Sequence, residues 1–218
     1  MPIIKTYHKI LGVIPSTKLI YFIHIPKCAG SSIENFFVNN HIQSSFLDRK
    51  FNSNIIHWNR SSPQHISAET FDNLFLDNFF DCVFTFTRHP IQRFISAYTF
   101  NHAIGRINEK WDINELVLHL TDSGIESHFS DNHFLPMTHF VSNKYNPQIF
   151  KLEDGFDEFI KWFEKASGLN ISNKEIKRAN VSPMIDPKLK ALNIKSIELI
   201  HNLYHEDFVR FGYQKDEG

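Results

Sequence analysis

The sequence predicts an α/β protein of three layers, a central parallel sheet flanked by helices, in a single domain over residues 1–218. Two short apolar runs, Leu19-Ile-Tyr-Phe-Ile-His24 and Cys82-Val-Phe-Thr-Phe-Thr87, each end in a tight loop. Each loop is followed at once by apolar residues at helical spacing, and two strand–loop–helix units in a small chain imply a parallel sheet. Composition is the third observation. Of 218 residues, 42% are hydrophobic and 22 are Phe, enough for a sizeable core in one domain.

Composition also excludes functions. Lys and Arg number 23 against 24 Asp and Glu, a net charge of -1. That balance argues against a basic coat for nucleic acid, so no nucleic-acid partner is expected, while a local anion site stays open. Two Cys make neither a disulfide scaffold nor a four-Cys zinc site. No apolar run approaches the roughly 20 residues of a transmembrane helix. The first residues lack the basic and apolar regions of a signal peptide. The sequence as written therefore predicts a cytoplasmic protein, and its Asn, Ile and Phe richness suggests a bacterial or viral source.

The elements follow in order. Residues 1–17 read as an N-terminal tether or an edge element. The run 19–24 reads as a buried strand, stopped by Pro26. After the small-residue turn Lys27-Cys-Ala-Gly-Ser-Ser32, the spacing of Ile33, Phe36 and Phe37 is one face of a helix. Residues 39–66 are polar and read as an excursion above the sheet. Phe71, Leu74 and Phe75 mark a short helix. The run 82–87 is the second strand, ended by Arg88-His-Pro90, because proline cannot continue a ladder. Ile91, Phe94, Ile95 and Tyr98 place a helix directly after Pro90. Residues 121–150 look irregular. Phe156, Phe159, Ile160 and Phe163 mark an amphipathic helix that Gly168 stops. Residues 168–195 look like a lid or linker, and Ile197, Ile200, Leu203, Tyr204 and Phe208 mark a closing helix.

Chemistry concentrates at the two strand ends. The first amides of a helix have no internal partner and carry partial positive charge. Ala29, Gly30, Ser31 and Ser32 would let an oxyanion approach that backbone, with Lys27 adding a full charge and the serines adding donors. This is not a Walker A loop, in which the lysine ends the loop rather than starting it. At the second strand end Arg88 sits at the mouth where open α/β sheets bind ligands. Ser96 lies about two turns into the following helix, and a guanidinium with a hydroxyl suits a second phosphate. Arg93 reads better as a structural ion pair and Tyr98 as core.

Together these segments resemble the sulfotransferase superfamily, nearest to the carbohydrate branch that includes the heparan sulfate 2-O-sulfotransferases. Pro26, Lys27, Ser31 and Ser32 match the loop that holds the 5′-phosphosulfate of PAPS (3′-phosphoadenosine 5′-phosphosulfate). Arg88, Pro90, Arg93, Ser96 and Tyr98 match the 3′-phosphate segment. Lys151-Leu-Glu153 and Tyr204-His-Glu-Asp-Phe-Val-Arg-Phe-Gly-Tyr213 resemble later family segments. The resemblance implies a P-loop-like sulfotransferase fold and sulfuryl transfer from PAPS, without a metal, to a saccharide hydroxyl. It implies a nucleotide site of Lys27, Cys28, Ala29, Gly30, Ser31, Ser32, Arg88 and Ser96. It adds Asn180 and Ser182, in a late segment that closes over the nucleotide.

Lys27 is the natural stabiliser of the leaving phosphate. His65 is the first choice of general base, since histidine titrates near neutrality and the setting resembles that of related glycan sulfotransferases. His57, Glu34 and Glu69 are the alternatives. His57, Trp58 and His133 are candidates for the acceptor cleft. His133 resembles part of a His-x-x-Pro-Gln segment in which Met137 replaces the glutamine.

Competing chemistries fit less well. Cys82-x5-Arg88 has a phosphatase spacing, but its intervening residues are β-branched and aromatic and read as strand. Cys28, at a helix N-terminus, reads as a small loop residue. No His-Glu-x-x-His or paired-Cys motif appears, and His24, His57, His65, His89, His102, His119, His128, His133 and His139 look scattered, so no metal is expected. The remaining alternatives are a catalytically silent nucleotide- or glycan-binding module and a nucleotide kinase, which would lack its Walker A loop.

Overall fold

The structure is a computed structural model that describes residues 3–7, 17–48, 50–51, 59–177, 179 and 185–215. The first half of the described chain contains β1 (Ile3–Tyr7), β2 (Thr17–Ile23), α1 (Gly30–Asn39), β3 (Gln43–Ser45), α2 (Ala68–Leu74), β4 (Cys82–Thr87) and α3 (Pro90–Ala103). The second half contains α4 (Ile113–Ser123), β5 (Gln148–Lys151), α5 (Asp157–Ser167), α6 (Ile194–Leu203) and α7 (His205–Phe211). Both predicted strand–helix units are present, β2 into α1 and β4 into α3.

The sheet order is β3-β1-β2-β4-β5. β2, β4 and β5 are parallel, with Phe22 opposite Phe84 and Phe86 opposite Phe150. This is the predicted parallel core. β1 and β3 extend it in antiparallel register, so residues 3–7, inside the span read as a tether or edge element, form a strand paired on both sides. The third parallel strand, β5, lies in the stretch read as irregular. It has four residues, begins just after Pro147 and has exposed or half-buried side chains, so it carries almost no strand periodicity.

Phenylalanine builds the core. Phe22 stacks on Phe84 at 4.8 Å between ring centroids, and Phe37 of α1 and Phe159 of α5 cover Phe84. On the opposite face Tyr21 stacks on Phe71 and Phe80 at 4.3 and 5.0 Å. Alternate β2 side chains thus serve opposite faces, the geometry that gives the fold its three layers. Pro90 opens α3 with its backbone already set for a helix. α4 opens on a capping box between Asp112 and Glu115. The single predicted closing helix is two helices with a break at Tyr204. Tyr204 Oη donates to the Phe134 carbonyl, and Asp207 accepts the Met137 and Thr138 amides. Those bonds fix α7 to the segment before β5.

Candidate active site

The loop after β2 turns sharply because Lys27 and Ala29 both adopt left-handed backbone angles, φ 67° each. That conformation costs an L residue roughly 1–2 kcal/mol. The loop is held by the amides of Ser32 and Ile33, which both donate to the Ala29 carbonyl. The loop delivers the chain into the first turn of α1, and a helix N-terminus is the place where backbone amides suit an anion.

Gly30 is required by its neighbour rather than by its backbone angles. A Cβ there would lie 1.6 Å from His24 Nε2. His24 cannot easily move. It is buried, stacks on Phe22, meets the His65 ring edge-on and lies 3.0 Å from Glu34 through Nδ1. Burial lowers its pKa to about 4, against the opposing pull of Glu34. Gly30→Ala is expected to destabilise the protein by about 1–3 kcal/mol or more through overpacking. Adding His24→Ala should restore part of that loss in thermal melts. An unchanged melting temperature in the single variant would mean that His24 swings aside freely.

Lys27 and Arg88 reach one cavity of 930 Å³ from neighbouring strand ends, and Ala29, Gly30, Ser31, Ser32 and Ser96 line it with them. Lys27 Nζ lies 4.1 Å from the Phe100 ring centroid. Burial, and then the nearby Arg88 charge, lower its pKa to about 8. Cys28 does not line the cavity. Its amide donates to the Ile25 carbonyl, its thiol is buried 3.8 Å from Met137 Sδ, and burial pushes its pKa up to about 12. It packs beneath the loop, in the core.

Arg93 is also structural, and among the described residues its guanidinium is held by carbonyls rather than by a carboxylate. Only 1% exposed, it donates to the carbonyls of Pro26, His133 and Leu135. It ties the anion loop to the segment bearing His133. Tyr98 is core, with its hydroxyl on the Trp111 carbonyl. The later matching segments hold His89, the residue after Arg88. Glu153 accepts the His89 amide and the Tyr213 hydroxyl, and Lys151 Nζ donates to the Gly212 carbonyl.

His65 and His133 line the same cavity. His65 Nδ1 lies 2.8 Å from Asp131 Oδ2. Burial raises the Asp131 pKa, but the attraction and hydrogen bond of His65 and the Ser62 amide outweigh it and hold the carboxyl well below its usual range. His133 Nδ1 accepts from Asn101 Nδ2, whose amide is oriented by its other bond, to the Ala97 carbonyl. Burial pushes the His133 pKa well below its ordinary value. His133 is therefore neutral with its proton on Nε2.

His65, Asp131 and His133 bring one donor atom each to within 4.8 Å of one another. The histidines are thus not all scattered, as the sequence reading had them. Both Nδ1 atoms already have partners inside the protein, on Asp131 and Asn101.

Asp131 and Asn101 were missed by sequence reasoning, since neither lies in a matching segment. Asp131, two residues before His133, had only that proximity as a signal. Glu34 was considered as a base, but it lies against His24. His57, Trp58, Asn180 and Ser182 lie outside the described residues. The Ala179 amide donates to Ser32 Oγ, which brings residue 179 onto the anion loop. Met137 is fully buried and does not line the cavity.

A cation and a set of helix-terminal amides at one strand end, a second cation at the next and buried imidazoles across the same cavity make this an α/β protein suited to an oxyanion-bearing ligand. The chain belongs to the Sulfotransferase family, which it matches over residues 13–214. No curated protein and no solved structure matches it. No helix among the described residues is long and apolar enough to cross a membrane.

Proposed function

We propose that this sulfotransferase takes PAPS as donor and a saccharide hydroxyl as acceptor. The observation that carries the reading is the pair Lys27 and Arg88, at neighbouring strand ends on one cavity that also holds His65. Two separated cations fit a nucleotide with phosphates at both its 3′ and 5′ positions. A Walker-type triphosphate would call for a lysine at the end of the loop.

PAPS, when bound, supplies a sulfuryl group on a phosphate leaving group. The amides of the α1 first turn, Ser31 and Ser32 hold the 5′ end, while Arg88 and Ser96 hold the 3′-phosphate. His65 takes the proton of the acceptor hydroxyl as its oxygen bonds to sulfur. Lys27 stabilises the charge that collects on the departing phosphate oxygen as the bond from that oxygen to sulfur breaks. His133 presents an N–H donor beside the base to orient the acceptor oxygen. The polar side chains of Asp48, Gln64 and Asp131 on the cavity wall suit a saccharide, and the work would be cytoplasmic.

The test is thermal stabilisation by PAP, the desulfated product, beside ADP, ATP and ATP–Mg. A ligand bound only to the folded state at a hundredfold excess over Kd adds about 2.7 kcal/mol. PAP is expected to stabilise the wild type clearly more than ADP does, and Arg88→Ala to lose that difference. Stabilisation by ATP–Mg and none by PAP would sink the PAPS reading in favour of a kinase-like protein. PAP binding with no sulfate transfer to any glycan would favour a silent binding module.

A further inference from the structure

The loop facing His65 is strained in a way that its own sequence does not require. Ser130, Asp131 and Asn132 are three consecutive non-glycine residues with left-handed φ of 47°, 58° and 63°, and His128 has 76°. Such residues persist where the surroundings over-determine them, and they cluster at functional sites. Here the surroundings are the segment that carries His65. Asp131 Oδ1 accepts the Ser62 amide at 2.7 Å, and its Oδ2 accepts the Ser62 hydroxyl at 2.9 Å and meets His65 Nδ1 at 2.8 Å. Asn132 Nδ2 donates to the His65 carbonyl at 2.8 Å, and its Oδ1 accepts the His128 amide. Both side chains thus close onto residues 62–65, one on the ring and one on the backbone.

We propose that this left-handed turn sets the imidazole of His65 and that Asp131 is the positioning residue of the base, fixing the His65 proton on Nδ1 so that the lone pair of Nε2 serves the acceptor hydroxyl. An ionised carboxylate has no proton to give, so the proton of the 2.8 Å bond belongs to the ring. His133 holds the opposite tautomer, with its Nδ1 accepting from Asn101. The cavity wall therefore carries one imidazole acceptor beside one imidazole donor, the pair that a hydroxyl needs to be both held and deprotonated. The inference rests on the reading of His65 as the base.

Asp131→Asn separates positioning from mere packing. The Ser62 backbone amide must keep an acceptor, so the carboxamide oxygen takes the Oδ1 position and its NH2 falls opposite His65 Nδ1. That NH2 donates to Nδ1 and drives the ring proton to Nε2, which removes the base's lone pair. Histidine 15N NMR at a pH where the ring is neutral is expected to show the Nδ1–H form of His65 in the wild type and the Nε2–H form in Asp131→Asn. Turnover, read as PAP released from PAPS, should fall by about 10³- to 10⁴-fold, with KM for PAPS unchanged, the order seen when a base is forced into the wrong tautomer. An unchanged tautomer or a turnover within a few-fold of wild type overturns the proposal. If the variant does not fold, the wild-type spectrum decides, since a His65 with its proton on Nε2 contradicts the role of Asp131. PAP stabilisation of the wild type is measured in parallel. Its absence refutes the PAPS reading and leaves the tautomer result to decide the role of Asp131.

Discussion

Replacing Lys27 with alanine is expected to lower turnover by about 10²- to 10³-fold, the usual loss when one preorganised stabiliser of developing charge is removed. PAP affinity should also fall, by about 1.5–3 kcal/mol, as for a charge-assisted hydrogen bond. The pH dependence follows from the environment of the lysine. Burial and Arg88 lower its pKa to about 8, so in the free protein its charge is lost as pH rises through that value. PAP affinity should therefore fall with rising pH above about 8, at most about tenfold per pH unit because one proton is linked to binding. Lys27→Arg, charged at every accessible pH, should flatten that limb. The unliganded protein behaves oppositely. Between about pH 8 and 10.5 the unfolded chain holds a proton on this residue that the folded chain does not, so this group's contribution to stability rises with pH there. Calorimetric titration of PAP at several pH values checks the sign. Affinity that is flat through pH 8 and unchanged in Lys27→Ala would remove Lys27 from the anion site.

The largest loss of stability is expected at Arg93. The guanidinium is buried and donates to three carbonyls, and its charge opposes the burial that raises the Asp207 pKa. Arg93→Ala leaves those three carbonyls without their donor and removes the charge that offsets the burial of Asp207, which keeps only its two amide bonds. Buried acceptors left unpaired cost about 1–3 kcal/mol each, so the three together are expected to cost about 3–5 kcal/mol once the site relaxes. At about 2–4 °C per kcal/mol for a chain of this size, the melting temperature should drop by roughly 6–20 °C. PAP binding would be lost alongside, because Pro26, one of the three anchors, precedes Lys27. A variant with unchanged melting behaviour that no longer binds PAP would instead make Arg93 a ligand contact.

Both residues show how much of the site could be read before folding. Lys27, the small residues after it and Arg88 were legible because each follows an apolar strand directly and precedes a helix, and such local order survives in sequence. Arg93, Tyr204 and Asp207 were visible as parts of matching segments, but not as a group. In the structure they converge on residues 133–138, which carry His133. His65 stood out through a local pattern, whereas its partner Asp131 lies 66 positions away and joins it through a left-handed turn. Aspartate and asparagine tolerate the left-handed region, but local sequence does not select three such residues in succession.

The fold divides the same way. β2, β4, α1, α3 and α5 were legible because their apolar periods are long and their ends carry proline or glycine. β5 and β3 are short, and β5 has exposed residues, so their strand character comes from hydrogen bonds to neighbours already in place rather than from their own residues. The sequence by itself determined an α/β protein with two cationic strand ends, since hydrophobic period and loop chemistry act over a few residues. Only the tertiary structure decided which histidine faces which carboxylate, that Gly30 exists for His24, and that Cys28 and Arg93 serve the packing beneath the loop. Those outcomes depend on close contacts between residues far apart in the chain, and contact distance is the one quantity that local pattern does not encode.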